Sequence, residues 1–111
     1  MTPKYSIVLP TLNGVSTLSV TLPAMLRLAR DDIEFVISDN VSDDGTYEFL
    51  RSFADPRLRV FRPERRLSIG QHLEFAYLQA RGLWQGHLGD DDFLMPNRFE
   101  LLDRALDGNQ E

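Results

Sequence analysis

Apolar positions along this chain alternate between a strand period and a helix period. Tyr5 to Leu9 is a compact apolar run that Pro10 stops, which predicts a buried strand opening into a loop. Ser16 or Thr17 then offers an N-cap for a helix reaching about Arg30, with Leu18, Leu22, Met25, Leu26 and Ala29 on its apolar face. Pro23 interrupts that pattern and predicts either a kink or a restart capped by Ser19 or Thr21. Ile33 to Ser38 predicts a second strand, and Tyr47, Leu50 and Phe53 mark one side of a short helix ended by Asp55-Pro56. Leu58 to Phe61 reads as a third, shorter strand closed by Pro63. Ser68 and Gln71 have capping-box spacing, and Ile69, Leu73, Ala76, Tyr77 and Ala80 recur at helical spacing up to Gly82, where a C-terminal glycine cap belongs. Trp84 to Leu88 is a fourth strand candidate, interrupted by Gln85, Gly86 and His87. Phe99, Leu102, Ala105 and Leu106 mark a last helix from about Pro96 to Asp107, closed by Gly108.

Strands alternating with helices predict an α/β fold of three layers, a mostly parallel sheet with right-handed crossovers and helices on both faces. In such sheets ligands bind beyond the carboxyl ends of the strands, where strand order reverses. Three polar clusters follow strands: Pro10, Thr11 and Asn13 after the first, Asp39 to Asp44 after the second, and Asp90, Asp91 and Asp92 after the fourth. One crevice collects all three if the fourth strand lies beside the first, opposite the second.

The 111 residues suffice for one domain, which this reading extends over 1–111. A net charge of −5 argues against nucleic acid as a partner, because phosphate backbones need a basic face. The chain has no Cys, which excludes disulfides and thiolate metal sites. The apolar run near the N-terminus is too brief for a signal peptide or a transmembrane segment, so a cytoplasmic setting is expected.

Three adjacent carboxylates at the mouth of a cleft repel one another, and a divalent cation or raised pKa values relieve the strain. Oxygen ligands suit Mg²⁺ or Mn²⁺ better than zinc. The same residues also read as a solvated acidic turn before the last helix. No Gly-x-Gly-x-x-Gly or Walker-type motif follows any strand, so a phosphate here needs a metal instead. Asp43 and Asp44 read as caps for the second helix, and Arg65 and Arg66 as a solvated face. His72 and His87 lack metal-ligand spacing and read as core or surface residues. Trp84 and the Phe residues at 35, 49, 53, 75 and 99 read as core.

The motifs Ser-Ile-Val-Leu-Pro-Thr-Leu-Asn at 6–13, Asp-Asn-Val-Ser-Asp-Asp-Gly-Thr at 39–46 and Leu-Gly-Asp-Asp-Asp at 88–92 together resemble family 2 glycosyltransferases of the GT-A fold. The resemblance runs from Tyr5 to about Asp107. It implies that Pro10, Thr11 and Asn13 lie along a nucleoside, that Asp39 accepts a hydrogen bond from the base, and that Asp90 contacts the ribose. It also implies that Asp91 and Asp92 hold the Mg²⁺ or Mn²⁺ bridging the two phosphates of a nucleoside diphosphate sugar. Gly89 stands where many members carry the first acid of Asp-x-Asp, so the metal register is either Asp90-Asp91-Asp92 or a shifted one centred on Asp91. His72 also departs from the family pattern, as do Gln85 and His87. Family members run well past residue 111, so the acceptor site and catalytic base are expected to be missing and the chain to be an incomplete enzyme. An uncovered fourth strand would then favour self-association, unless Gln85 and His87 blunt that edge or the last helix folds over it. Two other readings stand beside this one: a non-catalytic nucleotide-sugar-binding or interaction module, and a phospho-acceptor signalling domain. The second fits poorly, since Pro-Thr-Leu-Asn follows the first strand and Lys4 is the only lysine.

Overall fold

The computed structural model describes residues 2–92 and 97–108. Four strands, β1 (Tyr5–Thr11), β2 (Ile33–Asp39), β3 (Leu58–Phe61) and β4 (Trp84–His87), alternate with helices α1 (Val15–Leu26), α2 (Thr46–Arg51), α3 (Ile69–Leu78) and α4 (Asn97–Gly108). The sheet order is β3-β2-β1-β4 and every pairing is parallel, so β4 does lie beside β1, opposite β2.

Strand alternation explains the three layers. Tyr5, Ile7 and Leu9 of β1, with Ile33, Phe35 and Ile37 of β2, face Leu18, Leu22 and Met25 of α1, Leu50 of α2 and Phe99 of α4. Val8 and Val36 point the other way, onto Ala76 of α3, with Phe61, Tyr77 and Ala80 at the margin. Phe49, Phe53 and Trp84 are partly buried against the larger cluster. Phe75 joins neither, and stacks on the ring of His72 at 6.5 Å instead.

Several boundaries differ from the sequence expectation. β1 continues through Pro10 to Thr11, and β2 runs to Asp39. α1 begins at Val15 behind Gly14, with no side-chain cap, rather than behind Ser16 or Thr17, and it runs through Pro23 without a restart. It ends at Leu26, short of Arg30, where the Arg57 guanidinium donates to the carbonyls of Leu26, Leu28 and Arg30 at 2.7, 2.5 and 2.8 Å. Ala29 is therefore off the helix and exposed. The capping box of Ser68 and Gln71 is present, but α3 stops at Leu78, so Gly82 is no helix cap. Glycine is required there by crowding, since a Cβ would lie 2.6 Å from Ser6 Oγ and 2.7 Å from Ser6 N. The expected start of the last helix at Pro96 lies outside the described residues.

α4 does fold back on the sheet. Phe99 is fully buried with Leu102 and Leu106 beside it, and Asp103 accepts from Lys4 Nζ at 2.7 Å, from Arg30 Nη2 at 3.1 Å and from Tyr5 Oη. These donors, Lys4 foremost, hold the Asp103 carboxyl well below the usual range. Among the described residues no helix is long and apolar enough to cross a membrane.

Candidate functional site

The site begins where strand lengths disagree. β1 and β2 stay paired as far as Thr11 and Asp39, whereas β1 and β4 part after Val8 and His87, with one further bond from Leu88 N to Val8 O at 2.9 Å. Past Val8, no strand among the described residues lies on the β4 side of β1. By alternation the nitrogen of Pro10 faces that side, so a residue without an N–H costs the sheet no bond. The gap is a cavity of about 300 Å³. Pro10, Thr11, Asn40 and His87 line it from the strand ends, and Ile69, His72 and Leu73 from α3.

His72 is buried in this wall with Nε2 2.8 Å from Ser38 Oγ. Burial pushes its pKa down against the opposing pull of Asp39, which favours a neutral ring. His87 is exposed, and its Nδ1 lies 2.9 Å from Tyr77 Oη.

Behind the cavity, the loop after β2 is tightly bonded. Asp39 is fully buried, and its carboxylate accepts from Ser42 N at 3.1 Å and from Ser42 Oγ, with Arg62 Nε 3.7 Å away. Asn13 ties this loop to the one after β1, donating from N to Ser42 Oγ at 2.7 Å and accepting Asp43 N at Oδ1 at 3.0 Å. Asn13 and Val41 have φ of 53° and 59°, a region that strains a β-branched residue such as Val41. The Asn40 amide holds Leu67 by both main-chain groups, at 2.8 and 2.9 Å. Asp44 accepts from Thr46 N at 3.0 Å and from its hydroxyl, which depresses the Asp44 pKa. The N-cap of α2 is Gly45, which has no side chain, so neither Asp43 nor Asp44 is its cap; Asp44 bonds the first helical N–H from one residue further out. Arg66 Nη2 donates to Val41 O at 3.0 Å; Arg65 is exposed.

Across the open side, the acidic turn leans on β1 and α1. Thr11 Oγ1 donates to Asp90 Oδ2 at 2.9 Å, and Thr21 Oγ1 to Asp90 O at 3.0 Å. The turn closes on itself through Gly89 N to Asp92 Oδ2 at 3.0 Å and Asp92 N to Gly89 O at 3.1 Å. Asp91 and Asp92 are exposed. Among the described residues no three His, Cys, Asp or Glu side chains converge as a ready metal cage. Two exposed carboxylates nevertheless fit Mg²⁺ or Mn²⁺, since such ions commonly take one or two carboxylates and complete their shell with water and phosphate oxygens.

The three polar clusters thus meet at one end of the sheet. Sequence reasoning missed Asn40, Ile69, His72, Leu73 and His87 as cavity residues. A usable signal existed for His72, a polar residue set into the apolar stripe of α3.

Comparison with known proteins agrees with this arrangement. The sequence matches the family described as glycosyl transferase family 2 over residues 6–111. Succinoglycan biosynthesis protein ExoO of Rhizobium meliloti is 27% identical over 104 residues, covering 93% of this chain and 30% of its own length. The S. aureus TarS 1–349 structure, solved with UDP-GlcNAc, superposes with a TM-score of 0.85 over 95% of this chain and 31% of that one, at 21% identity. The mannosyltransferase PcManGT from Pyrobaculum calidifontis, solved with GDP-Man and Mn²⁺, superposes with a TM-score of 0.76 over 87% of this chain and 30% of that one, at 23% identity. This chain therefore has the α/β fold of GT-A nucleotide-sugar transferases, and it spans about 30% of the length of each of these proteins.

Proposed function

The chain belongs to glycosyl transferase family 2, and on that premise we propose that its crevice binds a nucleoside diphosphate sugar with Mg²⁺ or Mn²⁺, as the donor-binding part of a glycosyltransferase. The observation that carries this reading is the double use of Thr11, which lines the cavity and also bonds Asp90 of the acidic turn. A nucleoside in the cavity then has its diphosphate directed at Asp91 and Asp92. Family membership also removes the phospho-acceptor reading.

Pro10, Thr11 and Asn13 lie along the nucleoside in this proposal, and Asp39 accepts an N–H of the base. Asp39 accepts two bonds from Ser42; in this proposal the base takes the place of the Ser42 hydroxyl as donor, and the buried carboxylate stays paired throughout. Asp91 and Asp92 hold the cation, which when bound neutralises the diphosphate and polarises the bond to the leaving group. The neutral ring of His72 adds no charge to the wall beside the base.

Nucleotide binding is the property that tests this, because the 111 residues span a minority of each relative. UDP, GDP and dTDP are titrated into the chain with and without Mn²⁺. At least one is expected to bind tenfold or more tightly with the metal, about 1.4 kcal/mol. If all three bind no better with Mn²⁺ than without it, the proposal fails.

A further inference from the structure

We infer that Asp90 positions the acidic turn and is not itself a ligand of cation or nucleotide, and that Thr11 and Gly14 form the socket that holds it. The inference rests on the donor-site reading above and assigns roles within that site. The Asp90 side chain points back into the fold, onto Thr11 Oγ1 at 2.9 Å, and among the described residues no three acids, Asp90, Asp91 and Asp92 included, gather as a metal cage. Its main chain is held separately by Thr21 of α1, at 3.0 Å, a residue only 2% exposed.

Gly14 supplies the independent observation. A Cβ at that position would lie 2.4 Å from Asp90 Oδ2 and 2.4 Å from Thr11 Oγ1. The hydrogen-bonded pair therefore occupies the volume a side chain at residue 14 would take. The glycine is not needed for its backbone, since φ is −105°, open to any residue. It is needed for space, and the space is filled by the middle link of the chain from β1 to the turn.

Asp90 adjoins the two exposed acids, and the Gly89–Asp92 bonds close the turn around it. Fixing Asp90 by side chain and main chain therefore fixes the direction of Asp91 and Asp92. Supporting groups of this kind are commonly worth 10- to 100-fold in metal affinity.

The test compares four variants by Mn²⁺-dependent binding of UDP and GDP, and by backbone ¹⁵N relaxation of the ligand-free chain. Asp90→Asn keeps an acceptor oxygen for Thr11 while losing the charge, and is expected to bind within about threefold of the natural chain. Asp90→Ala empties the socket and Gly14→Ala expels its occupant; each is expected to weaken metal-dependent binding at least tenfold and to lower the ¹H–¹⁵N NOE at Asp91 and Asp92. Asp91→Asn is expected to lose metal dependence with those NOE values unchanged. If Asp90→Asn loses as much as Asp91→Asn, Asp90 is a ligand and the inference is overturned. Full binding by Asp90→Ala overturns it too. Absence of metal-dependent binding in the natural chain refutes the donor-site reading instead, and the relaxation data then judge the socket alone: unchanged NOE values in Asp90→Ala and Gly14→Ala reject it.

Discussion

Glu34→Ala is expected to destabilise the fold by about 3 kcal/mol. Glu34 is 3% exposed on the α3 face of β2, and its carboxylate accepts from Ser6 Oγ at 2.5 Å, Arg81 N at 2.6 Å and Arg59 Nη1 at 2.7 Å. Ser6 Oγ in turn accepts from Gly82 N at 2.7 Å. One carboxylate thus joins β1, β2, β3 and the segment leading into β4. Removing one partner of a buried ion pair costs about 3 to 5 kcal/mol. The lower end applies because the Arg59 side chain is 25% exposed and can recover water. For a domain of this size that corresponds to a fall in Tm of about 12 °C, read by circular dichroism at pH 7. Acid dependence gives a second check. Burial works to raise the Glu34 pKa, but the bonds from Ser6, Arg81 N and Arg59 outweigh it and leave the pKa below its ordinary 4.5. A depressed carboxyl contributes stability above its unfolded pKa and loses it as pH falls through the folded one. The gap between natural chain and variant should therefore be full above about pH 5 and narrow below the ordinary carboxyl range. A fall of less than 4 °C at pH 7, or a gap that stays constant down to pH 3, would refute the reasoning.

Three further outcomes follow from single sites. Asp91→Asn is expected to bring nucleotide affinity in Mn²⁺ down to its metal-free level, measured by calorimetric titration, because an amide is a poor ligand for a hard cation. Val41→Gly is expected to raise the urea midpoint by the equivalent of about 0.5 to 1 kcal/mol, since glycine relieves the strain at φ 59°. His72→Leu strands the buried Ser38 hydroxyl and should cost about 1 to 2 kcal/mol, and the double variant His72→Leu with Ser38→Ala should recover about 1 kcal/mol of that in urea unfolding.

What was legible in the sequence was local. The apolar runs of β1 and β2, the capping box before α3 and the Phe99, Leu102 and Leu106 stripe of α4 are set by residues within a few positions of each other, and each stands where its pattern placed it, although Ala105, expected on the same stripe, is exposed. The misplaced ends have distant causes. α1 starts behind Gly14, which offers no side chain to read as a cap, and it stops where Arg57 reaches the carbonyls of Leu26, Leu28 and Arg30 from 27 to 31 residues away. Pro10 looked like the end of β1 because the missing neighbour on one side of the strand is a property of the sheet. The site divides the same way. The three polar clusters announced themselves by following strands, but the bond from Thr11 to Asp90 spans 79 residues, and the burial of Asp39 depends on Ser42 and Arg62. The resemblance placed Asp39, Asp90, Asp91 and Asp92 along one ligand, but the pattern carried no sign of their different burial: Asp39 is fully buried, Asp90 half-buried, and Asp91 and Asp92 exposed.

The two ends of the sheet are coupled through β4, which has only four residues between them. At its start, Gly82 fits against Ser6 without a Cβ to spare, and the Glu34 network fixes Arg81 and Gly82 there. At its finish, Leu88 makes one last bond to Val8 before Gly89 opens the acidic turn. A slip of one residue in the β1–β4 register would carry the turn about 3.3 Å along the sheet and reverse the facing of every β4 side chain. Asp90 would then miss the socket between Thr11 and Gly14. The polar cluster at the amino ends of the strands is thus one of the contacts that hold the β1–β4 register, on which the place of the carboxylates at the opposite end depends. Damage at Glu34 should accordingly reach nucleotide binding through register, while Asp91→Asn acts by contact alone and leaves the Tm where it was.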